Sequence, residues 1–325
     1  MRKFISAILS LTLGLAPALV PQAALAQAWP AKPIRLVVPF PPGGSADAAA
    51  RPVSEKLGPL LGQALVIDNK GGGLTVVGAD IVAKAPADGY TLFVMPGTHV
   101  LSPLLVNGVP FHPIRDFTPV GMIATIPYVF YSDTKQPFAS MRELVAYARA
   151  NPGKVSVGTT DALSRLAVET LNNSAKIQLV NVSYKGAPQL ASDVIGGHVQ
   201  VGVITPPSIL AFYRDKRIRA LGITGPNRVA SMPDVPTVAD AAGVPDFAIQ
   251  TWFALAGPGN LPRPVVTQLQ QNLQKVLADR EVRERLVNSG MEPTNDTATD
   301  KAMVFIQAEH DRMGKMIQAA GIKPE

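Results

Sequence analysis

Short apolar runs alternate with longer amphipathic stretches along most of this chain. The run from Ile34 to Val38, apolar apart from Arg35, reads as a buried strand. Similar runs predict strands at 64–68, 91–95, 120–126, 128–131, 155–157, 178–182, 199–204, 220–224 and 251–256. Helical spacing predicts helices over 47–61, 75–84, 141–151, 163–173, 187–195, 264–279, 281–289 and 299–320. Val266, Leu269, Leu273, Val276 and Leu277 make one apolar stripe on the sixth of these. Pro52 falls inside the first helix, where it is expected to bend the helix or delay its start. Strands that alternate with helices imply an α/β protein with mainly parallel sheets. The length exceeds one comfortable core, so two lobes are expected; with no long linker visible, the chain should cross between them more than once.

The first strand ends in Pro39-Phe40-Pro41-Pro42-Gly43-Gly44-Ser45-Ala46-Asp47, a rigid turn and two glycines leading into a helix capped by Ser45 or Asp47. A helix start offers unpaired N–H groups and the positive end of the dipole, which suits an anion. Gly71-Gly72-Gly73 also follows a strand but lacks dinucleotide-binding spacing, and reads as a plain turn.

The N-terminus carries a different pattern. Met1-Arg2-Lys3 is basic, Phe4 to Val20 is almost entirely apolar, and Ala24-Leu25-Ala26 fits a small-x-small cleavage site. Residues 1–26 are therefore expected to be a secretory signal peptide, leaving a free periplasmic protein. With no cysteine, the chain has no disulfide, thiol nucleophile, thiolate ligand or lipidated cysteine. The formal charge is +6, of which Arg2 and Lys3 supply two. The remainder is scattered, and its densest cluster (Arg214, Lys216, Arg217, Arg219) has no interleaved aromatics, so nucleic acid is not an expected partner. His99, His112, His198 and His310 form no metal-ligand spacing, and neither a nucleophile elbow nor a phosphate loop occurs. No metal, no cofactor and no catalysis are expected.

The order of motifs along the chain resembles the Bug-type solute receptors of tripartite tricarboxylate transport systems. Trp29-Pro30, Val37-Val38-Pro39-Phe40-Pro41-Pro42-Gly43-Gly44, Asp68-Asn69-Lys70 and Asp88-Gly89-Tyr90-Thr91-Leu92 open the match. Asp116-Phe117, Asn151-Pro152-Gly153-Lys154, Tyr184-Lys185-Gly186, Pro233-Asp234-Val235-Pro236-Thr237 and Gly321-Ile322-Lys323 continue it. The resemblance implies a two-lobe type II periplasmic binding-protein fold, a Venus flytrap with two crossing segments. Lobe one would be 27–126 plus 252–325 and lobe two 127–251. It implies a monomer that captures a small organic carboxylate, mono- or dicarboxylate, and delivers it to a tripartite membrane permease. The first binding loop would map onto Pro42, Gly43, Gly44, Ser45 and Asp47, with Asp47 capping the helix or ordering water. A second loop would fall at Thr98 and His99.

The expected lobe-two loop departs from the family. Gly158-Thr159-Thr160-Asp161 is shorter, lacks later glycines, and has Arg165 where a histidine is usual. Thr159, Thr160 and Thr205 remain candidate hydroxyl donors, and Arg165 a candidate partner for a second carboxylate. Asp161 would repel a carboxylate if it faced the cleft, cap the next helix, or pair with an ammonium. Leu74 and Thr75 occupy places that are often glycine in the family. Alternatives are an amino-acid ligand, a receptor read by a membrane signalling partner, or an exported hydrolase.

Overall fold

The computed structural model describes residues 29–321. The expected signal peptide and the closing Ile322-Lys323 lie outside the described residues. Among the described residues eleven strands form two mixed sheets: β1 Ile34–Val38, β2 Leu65–Asn69, β3 Thr91–Pro96, β4 Phe117–Pro127, β5 Val129–Asp133, β6 Val155–Thr159, β7 Leu179–Ser183, β8 Val201–Ile204, β9 Ile218–Ile223, β10 Gln250–Pro258 and β11 Glu292–Pro293. The first sheet has order β11-β4-β10-β3-β1-β2, the second β7-β6-β8-β5-β9. In the first, β1 pairs in parallel with β2 and β3, while β10 runs antiparallel to β3 and β4. The second repeats the plan, with β6 parallel to β7 and β8 and β5 antiparallel to β8 and β9.

β1 lies between β3 and β2 and is covered on both faces, which is why Ile34, Leu36, Val37 and Val38 are all fully buried. Arg35 escapes by pairing with Asp68 on β2, its Nε donating at 2.8 Å. Helix Ser45–Leu61 connects β1 to β2 and packs Val53 and Leu57 with Leu269 and Leu273 of helix Arg263–Ala278. Losing one such leucine to alanine would cost about 2–5 kcal/mol. Pro52 neither delays nor ends the first helix, which begins two residues before the expected Asp47 and runs through both Pro52 and Pro59. Each proline removes an N–H from the helical ladder, and the buried apolar face of the helix holds it together. The last helix, Thr299–Ala319, packs Ile306, Met313 and Ile317 inward, whereas Met303 is exposed.

The two lobes meet where the chain crosses. Tyr128 alone separates β4 from β5, and the chain returns through β10 after the segment that carries helix Val238–Ala242. Buried Thr224, just beyond β9, stitches the two crossings together. Its Oγ1 accepts the Tyr128 N–H at 2.8 Å and donates to the Ile249 carbonyl, while its own N–H donates to the Tyr128 carbonyl. Among the described residues no helix is long and apolar enough to cross a membrane.

Candidate ligand-binding site

A cleft of about 680 Å³ opens between the sheets. Its walls are built mostly from residues at or just beyond the carboxyl ends of parallel strands, the usual place for a ligand in open α/β sheets. From the first lobe come Pro39–Pro42, Gly44 and Ser45 after β1, Asn69 and Gly71–Thr75 after β2, and Pro96 and Thr98 after β3. Thr251 and Phe253 of β10 complete that wall. The second lobe supplies Thr160 and Asp161 after β6, Tyr184 to Pro188 after β7, and Ile204, Thr205 and Ser208 from β8 and the turn beyond it. Tyr128 lies at the crossing itself.

The opening loop is built as a helix entrance. Gly44, in an extended conformation, precedes helix Ser45–Leu61, and no side chain caps it. The first backbone bond runs from the Ala48 N–H to the Gly44 carbonyl, so the N–H groups of Ser45, Ala46 and Asp47 precede the intrahelical ladder. The buried Asp47 turns back to hold the loop, accepting the Gly43 N–H at 3.0 Å and a bidentate Arg51 guanidinium at 2.8 and 3.0 Å. Asn69 donates to the Phe40 carbonyl and reaches Asp47. Burial would raise the Asp47 carboxyl, but Arg51, the Gly43 N–H and Asn69 outweigh it and hold it below the ordinary carboxylate value. Gly43 has φ of +85°, which explains a glycine there. On the same wall Thr98 is 3% exposed, and its Oγ1 has no hydrogen-bond partner among the described residues.

The opposite jaw is organised by Asp161. Its Oδ1 accepts the Ser164 N–H at 2.8 Å, and Ser164 Oγ accepts the Asp161 N–H at 3.1 Å, a capping box on helix Ala162–Ala175. The Tyr128 hydroxyl donates to Oδ1 and Oδ2 of the same carboxylate at 3.0 and 3.1 Å. Burial raises the Asp161 carboxyl, against the pull of the Ser164 N–H and the Tyr128 hydroxyl. Burial, then the neighbouring Asp161 charge, push the Tyr128 hydroxyl well above its usual value.

Of the residues expected from sequence, Pro42, Gly44, Ser45, Thr98, Thr160 and Thr205 line the cleft. Four others do not. The Gly43 N–H is taken by Asp47, and Asp47 itself faces the loop. Thr159 ends β6 with its side chain on the other face, where Oγ1 donates to Asn181 Oδ1 at 2.7 Å. Arg165 stands a turn into its helix, away from the lining. His99, adjacent to Thr98, is fully buried against Phe93, Phe111 and Phe117, with Nε2 donating to the Pro113 carbonyl. Burial lowers its pKa to about 4.

The glycine segment read as a plain turn is part of the wall instead. Its chain continues through Leu74 and Thr75 at φ of +49° and +79°, left-handed positions where glycine would be unstrained. Thr75 is held there by a hydroxyl contact with Ser102, whose Oγ donates to the Leu74 carbonyl. Asn69, Tyr128, Tyr184, Lys185, Thr251 and Phe253 also line the cleft without having been singled out as site residues. The signal that finds several of them is position at a parallel strand's carboxyl end, not residue type.

The pattern of the Tripartite tricarboxylate transporter family receptor matches residues 49–322. The chain belongs to this family. A UPF0065 protein in the tcbD-tcbE intergenic region of Pseudomonas sp. (strain P51) is 36% identical to the receptor over 292 residues, covering 89% of this chain and 87% of its own. Among solved structures, R. palustris Rpa4515 with adipate is 30% identical at a TM-score of 0.87, over 91% of this chain and 100% of its own. The periplasmic binding protein BugD is 27% identical at a TM-score of 0.84, with the same coverage of both chains. The receptor has the two-lobe α/β fold of type II periplasmic binding proteins, and its role is to bind a solute, not to catalyse.

Proposed function

We propose that the receptor captures a small organic carboxylate in this cleft, in the periplasm, and delivers it as a monomer to the membrane subunits of a tripartite tricarboxylate-type permease. Residues 27–126 with 252–325 would form one lobe and 127–251 the other. The observation that carries the reading is the wall made by Gly44, Ser45 and Thr98. The start of a 17-residue helix and a buried hydroxyl without a hydrogen-bond partner among the described residues lie along the same space. The adipate of Rpa4515 supports the same ligand class. Gly44, Ser45, Thr98, Thr160 and Thr205 are the proposed contacts, with Pro42 shaping the entrance. Donors from both lobes make the closed form the better binder, so the ligand shifts the population towards closure.

Native mass spectrometry of the gently purified receptor, then thermal-shift titration with the compound found, tests this. A ligand at 100 times its dissociation constant should stabilise the protein by about 2.7 kcal/mol. Gly44→Asp is the matched variant. A Cβ at Gly44 meets nothing nearer than the Pro41 carbonyl at 3.8 Å, and aspartate is a favoured helix cap, so the fold should persist while the new charge repels a carboxylate. A neutral sugar that binds where every carboxylate fails would overturn the reading.

A further inference from the structure

Asp161 is the one acidic side chain among the described residues that line the cleft. Its role as a helix cap does not require a charge, since serine, threonine or asparagine caps as well. Nor does that role use all of its acceptors. Oδ1 receives the Ser164 N–H, and the Tyr128 proton is shared between Oδ1 and Oδ2. The printed bonds leave the carboxylate of this lining residue with acceptor capacity to spare. The Ser164 and Leu163 N–H groups and the Tyr128 hydroxyl that hold the carboxylate are all donors, and they work against the burial that raises it. Across the cleft, the helix entrance at Ser45 and the unpartnered Thr98 hydroxyl supply donors. The two walls thus differ in polarity. A dianion would satisfy one and be repelled by the other. Lys185, the one basic side chain of the lining, is exposed, so solvent weakens what it could offset.

We propose that Asp161 receives a protonated amine of the ligand, so that the receptor selects aminocarboxylates over dicarboxylates of the same length. This rests on the carboxylate reading of the same cleft: the ligand's carboxylate goes to the Ser45 wall and its ammonium to Asp161. Tyr128 is the positioning residue. Its backbone is tied to Thr224 at the lobe crossing while its hydroxyl fixes the Asp161 carboxylate, so closure brings the acceptor to the amine in one orientation.

The test is calorimetric titration of dialysed receptor with matched sets: aminocaproate, caproate and adipate; γ-aminobutyrate, butyrate and succinate; and norleucine beside caproate. At least one aminocarboxylate should bind roughly tenfold or more tightly than its dicarboxylate and monocarboxylate counterparts. In Asp161→Asn, which retains a cap, that preference should fall by roughly 10- to 100-fold, the worth of a charged hydrogen bond. Circular dichroism checks the fold; if that variant does not fold, the wild-type panel decides alone. Dicarboxylates that bind while their amino counterparts do not overturn the inference and leave the carboxylate reading standing. So does an amine preference that survives in Asp161→Asn. Silence from the whole panel overturns the inference, while the carboxylate reading stands or falls with the compound recovered by native mass spectrometry.

Discussion

Gly290 offers a way to weaken ligand binding without touching the cleft. It sits between helix Arg280–Asn288 and β11 at φ of +79°. A Cβ there would lie 2.7 and 2.8 Å from Cβ and Cγ of Pro206 and 3.0 Å from Ser231 Oγ. Pro206 follows β8 and Ser231 follows β9, so the contact joins the two lobes. Carbon atoms rest at about 3.5–4.0 Å, and the lobes would have to part by roughly an ångström at this point. Gly290→Ala therefore carries two separable costs. The left-handed backbone costs about 1–2 kcal/mol whether the lobes are open or shut. The overlap, about 1–3 kcal/mol by analogy with an overpacked core, applies only when they meet.

Since the ligand needs the closed form, only the second cost enters its affinity, a rise in Kd of roughly 5- to 150-fold. Calorimetry with the compound recovered from the purified receptor reads that change. Small-angle scattering should show less ligand-induced compaction. Gly243→Ala is the control, because Gly243 has φ of +66° but open space around its Cβ position. It should lose a similar amount of stability and no affinity. A Kd for Gly290→Ala within twofold of wild type, alongside the expected loss of stability, would show that this contact plays no part in closure.

Two further outcomes follow from buried polar groups. Thr224→Val keeps the shape of the crossing but strands the Tyr128 N–H and the Ile249 carbonyl, and should lower unfolding free energy in urea by about 2–4 kcal/mol; a loss below about 0.5 kcal/mol would refute the role given to that hydroxyl. His99 gives a pH signature: with its pKa lowered to about 4 in the fold and near 6.5 when unfolded, the unfolded chain binds the extra proton in between. Its contribution is complete above pH 6.5 and drains away as pH falls to about 4, some 3 kcal/mol at most, so the melting temperature of His99→Phe should vary less over that window than that of wild type.

The alternating pattern made the architecture readable because each strand of the first sheet's centre is buried on both faces and each helix on one. β1 emerged with its expected bounds for that reason. What periodicity missed was too short to have a period, such as β11 with two residues or the turn of helix at Gly97–Leu101. Within the candidate site, local geometry located the helix start after Pro39–Pro42 but not its cap, since Gly44 stands where Ser45 or Asp47 was expected and Asp47 instead takes the Gly43 N–H. Side-chain direction was not legible. Thr159 and Thr160 are equivalent as residue types, yet one residue of a strand reverses the face, so the first bonds Asn181 and only the second meets the cleft.

Asp161 shows the deeper limit. Its role as a helix cap could be weighed from the sequence, but the direction of its carboxylate depends on Tyr128, which is 33 positions away and on the strand crossing. A local reading could only weigh cap against cleft as alternatives. The fold makes them simultaneous, because the carboxylate has more acceptor sites than its cap employs, and the surplus is what gives this jaw a chemistry of its own.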